Sequence, residues 1–128
     1  MALERSNPAA LAKPADYSHV VKDGKTVYVA GQVARNSEGQ TVGVGDFSAQ
    51  AEQVFKNVQA ALESVGSNMS SITKLIVFMT NREDIPEYRV ARAKFVPDDA
   101  LPVITLILCS GLANPDFRIE VEAIATIP

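Results

Sequence analysis

The sequence predicts an α+β domain, one mixed sheet with two helices packed on one of its faces, in the order ββαβαββ. Three observations carry this. Residues 47–65 and 85–95 repeat apolar side chains at helical spacing. The stretches "SITKLIVFMT" and "LPVITLILCSG" are rich in β-formers and almost wholly apolar, as in strands covered on both faces or lying at an interface. The closing "RIEVEAIATIP" alternates charged and apolar residues over its first five positions. Helices on one face alone leave the other apolar face of a small sheet uncovered, which predicts an oligomer.

Residues 1–16, with prolines at 8 and 14 and little periodicity, read as an extended arm over a single domain spanning 1–128. "YSHVVKDGKTVYVAG" gives two strands joined at Asp23-Gly24, a dipeptide that tolerates the positive φ of a tight hairpin. A Gly-rich connector leads to the first helix. Asp46 is placed to cap it, Phe47, Ala51, Val54, Phe55, Val58, Leu62 and Val65 form its stripe, and Gly66 stops it. After the 71–80 strand a second helix starts at Asp84, with Pro86 tolerated in its first turn and Ile85, Tyr88, Ala91, Arg92 and Phe95 along one side. In the last strand Ile119 and Val121 share one face, and Arg118, Glu120 and Glu122 the other. Whether the charged face meets bulk water or a pocket decides what it can do.

Composition removes several classes. The net charge is −3 and the basic residues are scattered. A nucleic-acid binder is therefore not expected, since neutralising phosphates needs a basic excess or stripe. The single cysteine, Cys109, and single histidine, His19, make neither an intrachain disulfide nor a Cys/His metal cluster. No apolar run approaches the ~20 residues of a membrane span. The first 18 residues carry charges and prolines where a secretory signal has an apolar core. The expectation is a soluble cytoplasmic protein with no Cys/His metal cluster and no membrane partner.

The succession of elements resembles the Rid family, also called the YjgF or L-PSP endoribonuclease family, over nearly the whole chain. The residues that carry the resemblance are Tyr17 after the proline-containing arm, "VYVAGQV" at 27–33, and the long helix followed by "ITKLIVFMTN". Pro102 opening the fourth strand and "RIEVEAIA" at 118–125 complete the set. The resemblance implies a chorismate-mutase-like fold assembled as a homotrimer, with three clefts between subunits. It also implies hydrolysis of enamines and imines such as 2-aminoacrylate to ammonia and a keto acid, without a cofactor. It places Glu120 in an intersubunit pocket as the group that positions and activates water. A glutamate in a partly desolvated cleft suits that task, because burial raises its pKa toward neutrality. The alternative for Glu120 is a solvated strand residue paired with Arg118 or a lysine.

One departure stands out. Deaminating relatives carry, two residues after the proline of the fourth strand, an arginine that clamps the substrate carboxylate. The matching residue in this chain is Ile104. Losing a bidentate guanidinium removes charged hydrogen bonds of roughly 1.5–3 kcal/mol each, so a non-standard substrate is expected. Arg89, and Arg92 one turn later, are candidate replacements on the second helix; otherwise they are surface arginines beside Glu83, Asp84 and Glu87. Tyr17 either closes the cleft through its hydroxyl or packs. Gly31 either admits a ligand close to the backbone or marks a bulge. Thr105 offers a hydroxyl next to Ile104, or is simply a strand former. His19 and Cys109 read as structural. A metabolite-binding trimer without catalysis is the alternative function, and RNA cleavage is a third.

Overall fold

The structure, a computed structural model, describes residues 3–128. Six strands and two helices follow in the order β1 (Glu4–Ser6), β2 (Val20–Asp23), β3 (Thr26–Gln32), α1 (Phe47–Glu63), β4 (Ile72–Met79), α2 (Ile85–Phe95), β5 (Val103–Leu108) and β6 (Ile119–Thr126). The sheet runs β1-β2-β3-β6-β4-β5. Only β4 and β5 are parallel, with α2 as their crossover; every other pair is antiparallel. The α+β class and the five strands read from the sequence are present. The sixth, β1, is the start of the expected arm, paired with β2 and tied to it by a Lys22–Glu4 ion pair at 3.3 Å. Three residues without an apolar side chain carry no strand signal.

Local chemistry accounts for the frame. Asp23 pairs with Thr26 across a two-residue loop, and Gly24 takes its positive φ, 61°. Asp46 Oδ1 accepts a hydrogen bond from the Ala49 N–H and caps α1. Gly66, at φ 86°, lies just past the other end, where an L side chain would be strained.

Both helices cover the same sheet face. The face of α1 built from Phe47, Ala51, Val54, Phe55, Val58 and Leu62 is buried against Val27, Val29, Leu75, Val77, Val121 and Ala123. Helix α2 stacks its aromatic rings on α1, with Phe95 and Tyr88 lying 5.8 and 6.3 Å from the Phe55 ring, and buries Ala91 in the same core. The other sheet face has no helix over it. Tyr28, Val103 and Ile107 are exposed there, and Ile76, Phe78 and Ile124 only half-buried. Among the described residues no helix is long and apolar enough to cross a membrane.

Candidate functional site

The central strand β6 buries Ile119, Val121, Ala123 and Ala125 beneath the helices. Strand alternation therefore sends Glu120, Glu122 and Ile124 to the helix-free face, with Glu120 opposite Phe78 and Glu122 opposite Ile76. On its other side the register slips. Val29 pairs with Ala123 but Gln32 with Val121, so β3 carries one residue more than β6 over that interval. Such bulges re-aim the residues around them, and this one brings Gly31 against Glu120. A methyl group on Gly31 would collide with Glu120 Oε2 and stand 2.9 Å from its Cδ. Gly31 does not have a positive φ. What the position needs is space, and the space is filled by a carboxylate.

Glu120 is half-buried, and burial holds its carboxyl above the usual carboxylate range, with the neighbouring charge of Glu122 adding to the effect. Among the described residues no basic group makes an ion pair with it. Arg118 does not provide one, contrary to the alternating pattern that put it on the same side. It precedes β6 and turns to α2, where its Nε and Nη2 donate to the Asp84 carboxylate at 2.6–3.1 Å. Its guanidinium also lies 5.5 Å from the centre of the Phe47 ring. The reading of Glu120 as half of an Arg118 ion pair is thereby removed.

Beside Gly31 is a small cavity of about 20 Å³, room for roughly one water molecule, lined by Ala12, Tyr17, His19, Gln32, Arg35 and Asn57 among others. Tyr17 is 48% exposed at its mouth and meets the His19 ring edge-on at 5.3 Å. His19 is buried and fully engaged. Gln32 Nε2 donates to its Nδ1 at 3.1 Å, so its Nε2–H donates to the Ala12 carbonyl at 2.6 Å. That makes it a tie between the arm and β3, the structural role expected of it. Cys109, half-buried, has its Sγ 3.5 Å from the Met79 carbonyl.

The remaining candidates lie elsewhere. In the order β6-β4-β5, Ile104 pairs with Leu75 and Leu106 with Val77, so both point toward the helices, on the face opposite Glu120. There they line a groove of about 270 Å³ with Leu101, Tyr88, Arg89 and Arg92. Thr105 pairs with Ile76 and points to the helix-free face. Within one chain it therefore lies on the face opposite Ile104, because adjacent strand residues take opposite faces. Arg92 is committed: its Nη1 donates to the Val96 carbonyl and to Asp98, both at 3.2 Å. Arg89 is exposed and makes no hydrogen bond or ion pair among the described residues. One chain thus brings Glu120 against Gly31, beside the small cavity that Tyr17 lines, and puts Arg89 and Ile104 on a groove at the face opposite Glu120.

Three further residues organise the site without having announced it. Gln50, fully buried on α1, donates to the carbonyls of Gly43 and Asp116 and accepts the Arg118 N–H. Asn57, two turns on, donates to Val33 and Arg35 and holds the segment after the bulge. Asp84 completes the set through Arg118. The available signal for the first two was a polar residue at stripe spacing within an apolar helix face. Among the described residues no group of three or more His, Cys, Asp or Glu is placed to hold a metal ion.

Comparison with known proteins agrees with this architecture. The Endoribonuclease L-PSP family profile matches residues 7–127. A protein of Dermatophagoides farinae named 2-iminobutanoate/2-iminopropanoate deaminase is 30% identical over 122 residues, covering 95% of this chain and 94% of that one. Saccharomyces cerevisiae protein MMF1, named mitochondrial, is 32% identical over 116 residues, 89% of this chain and 79% of that one. The crystal structure of yeast Mmf1 superposes with a TM-score of 0.91 at 28% identity, over 99% of this chain and all of that one. RidA from the Antarctic bacterium Psychrobacter sp. PAMC 21119 gives 0.89 at 26% identity, over 97% and 99%. The chain belongs to the L-PSP endoribonuclease family, the Rid/YjgF family.

Proposed function

We propose that this chain hydrolyses a reactive enamine or imine to ammonia and a carbonyl product, in clefts between the subunits of a homotrimer, without metal or organic cofactor. The observation that carries this reading is Glu120, a half-buried carboxylate with no basic partner among the described residues, seated on a glycine whose missing side chain makes room for it. A strand glutamate with only a structural role would be solvated or paired. The deaminase named above, 30% identical over nearly the full length, supports the same chemistry.

The reaction follows from that group. An enamine first tautomerises to the imine, gaining a proton at carbon and losing one from nitrogen. Water then adds to the C=N carbon while Glu120 takes one of its protons and delivers it to nitrogen, giving a carbinolamine. In the second step the hydroxyl proton passes through Glu120 to the amine, the C–N bond breaks as the C=O forms, and ammonia leaves. Glu120 ends each step as a carboxylate. A pKa raised toward neutrality suits a group that must both accept and return a proton.

The trimer is supported by the helix-free face, where Tyr28, Ile76, Phe78, Val103, Ile107 and Ile124 lack a cover. Because the sheet separates Glu120 from the Ile104 groove, a cleft using both draws one wall from each of two subunits. The proposed setting is the cytoplasm. Freshly generated imines mixed with the protein should release ammonia faster than in buffer, and Glu120→Ala should abolish the excess; equal rates for variant and parent remove Glu120 from the mechanism. Light scattering should give three times the subunit mass.

Ile104 favours a second reading, a trimer that binds a metabolite without changing it. It predicts saturable thermal stabilisation by a ligand recovered intact, and turnover of that ligand defeats it. RNA cleavage has the net charge of −3 against it; it would require affinity that falls steeply with salt.

A further inference from the structure

The groove between α2 and β5 has a composition of its own. Its floor is aliphatic: Leu101, Ile104 and Leu106, with Leu101 and Ile104 leaving 54% and 38% of their surfaces open. Its wall carries two guanidinium groups that are not equivalent. Arg92 is neutralised by Asp98 and occupied at the Val96 carbonyl. Arg89 has no partner among the described residues, and the nearest acid on its own helix, Glu87, is turned away to accept the Ser48 hydroxyl at 2.7 Å. Both arginines lie close enough to Tyr88 to oppose the upward push that burial gives its phenol, so the positive charge is felt inside the groove. At about 270 Å³ the volume is near the lower end of ligand-sized sites, which begin around 300 Å³.

An unpaired cation above an aliphatic floor is complementary to a small anion with an apolar tail. We infer that this groove is the specificity subsite of the chain, with Arg89 engaging a carboxylate and Leu101, Ile104 and Leu106 receiving a branched aliphatic side chain. The preferred substrate class is then the imines of bulky aliphatic 2-oxo acids rather than the shortest ones. The assignment of a reaction to these compounds rests on the proposed deaminase function; the assignment of the subsite does not. Such imines form when the Cα–N bond of a branched aliphatic amino acid loses two electrons and two protons to a flavin- or nicotinamide-type acceptor, so an amino-acid oxidation must supply the substrate.

The test separates binding from turnover by using unreactive 2-oxo acids as probes on the full chain, with affinities from calorimetry. We expect 4-methyl-2-oxopentanoate to bind at least tenfold more tightly than pyruvate, since an isobutyl group adds several buried carbons. Arg89→Ala should weaken both ligands ten- to a hundredfold, and Arg89→Lys should recover part of the loss. Ile104→Arg should reverse the preference, strengthening pyruvate and weakening the branched acid. Arg89 is exposed, so circular dichroism of the Arg89 variants should match the parent. Equal affinity for the two acids overturns the aliphatic subsite, and an Arg89→Ala variant that binds like the parent overturns the clamp. Ammonia release is measured separately. Binding as expected without turnover leaves the subsite standing and removes the deaminase; turnover indifferent to Arg89 and to side-chain size does the reverse.

Discussion

Arg118, just before β6, and Glu120, the second residue of the strand, lie two positions apart, and the fold treats their charges in opposite ways. Arg118 at the entrance is answered from every side, by the Asp84 carboxylate, by the Phe47 ring and, at its backbone N–H, by Gln50. Glu120, inside the strand, is answered by no basic group among the described residues, lies against a glycine and has Glu122 for company. An ionic group that serves structure is paired; one that serves chemistry is left in a state that is costly to ionise and therefore ready to exchange a proton. The difference teaches which of the two to disturb for which effect.

The largest expected effect comes from Glu120→Gln, which keeps the shape over Gly31 and removes the proposed proton carrier. Ammonia release should fall at least a hundredfold, as expected for losing a general base, while the urea midpoint at fixed protein concentration holds or rises. Asp84→Ala is the converse. It strands a guanidinium whose side chain is 26% exposed, so the loss is set somewhat below that of a fully buried pair, about 2–4 kcal/mol. Urea unfolding measures it, and ammonia release per folded molecule should stay near the parent's. If Asp84→Ala instead abolished turnover with stability intact, the division of labour along β6 would be wrong.

Much of this was legible in the residues. The stripe of α1, its Asp46 cap, the hairpin at Gly24 and the alternation of β6 follow from local rules, and those rules placed Glu120 opposite the core. The partner of Arg118 was not legible, because Asp84 lies 34 residues away and nothing local ties a helix start to a strand entrance. The parity of Ile104 and Thr105 was visible in the sequence. Which of them faces the helices depends on β5 being parallel to β4 in this register, a tertiary fact. The need for glycine at 31 was half-visible: a bulge was among the readings, but the group filling the space belongs to β6, some ninety residues on.

That glycine gives the next test. Gly31→Ala puts a methyl where Glu120 Oε2 sits and forces the carboxylate out toward solvent. The backbone there suits an L-residue, so stability should change by less than about 1 kcal/mol, whereas ammonia release should drop tenfold or more. A variant that unfolds without losing specific activity would mean that Gly31 serves packing and not the carboxylate.

The smallest effect sharpens the comparison most, because it reads the charge at Glu120 without any chemistry. Burial places its folded-state pKa above the unfolded one, so ionisation costs the folded state. Below the unfolded pKa, both states of the parent hold the proton, and parent and Glu120→Gln should be equally stable. As pH rises from the unfolded-state pKa to the folded-state pKa, the parent should lose stability relative to the variant, and above the folded-state pKa the gap should stay constant. The pH at which the gap stops growing marks where the carboxylate ionises in the folded protein, and the acid limb of the pH–rate profile should fall at the same point. Coincidence of the two ties the proton lost on titration to the proton used in turnover. A gap that never opens would make Glu120 an ordinary solvated carboxylate, no different in kind from the surface acids around it.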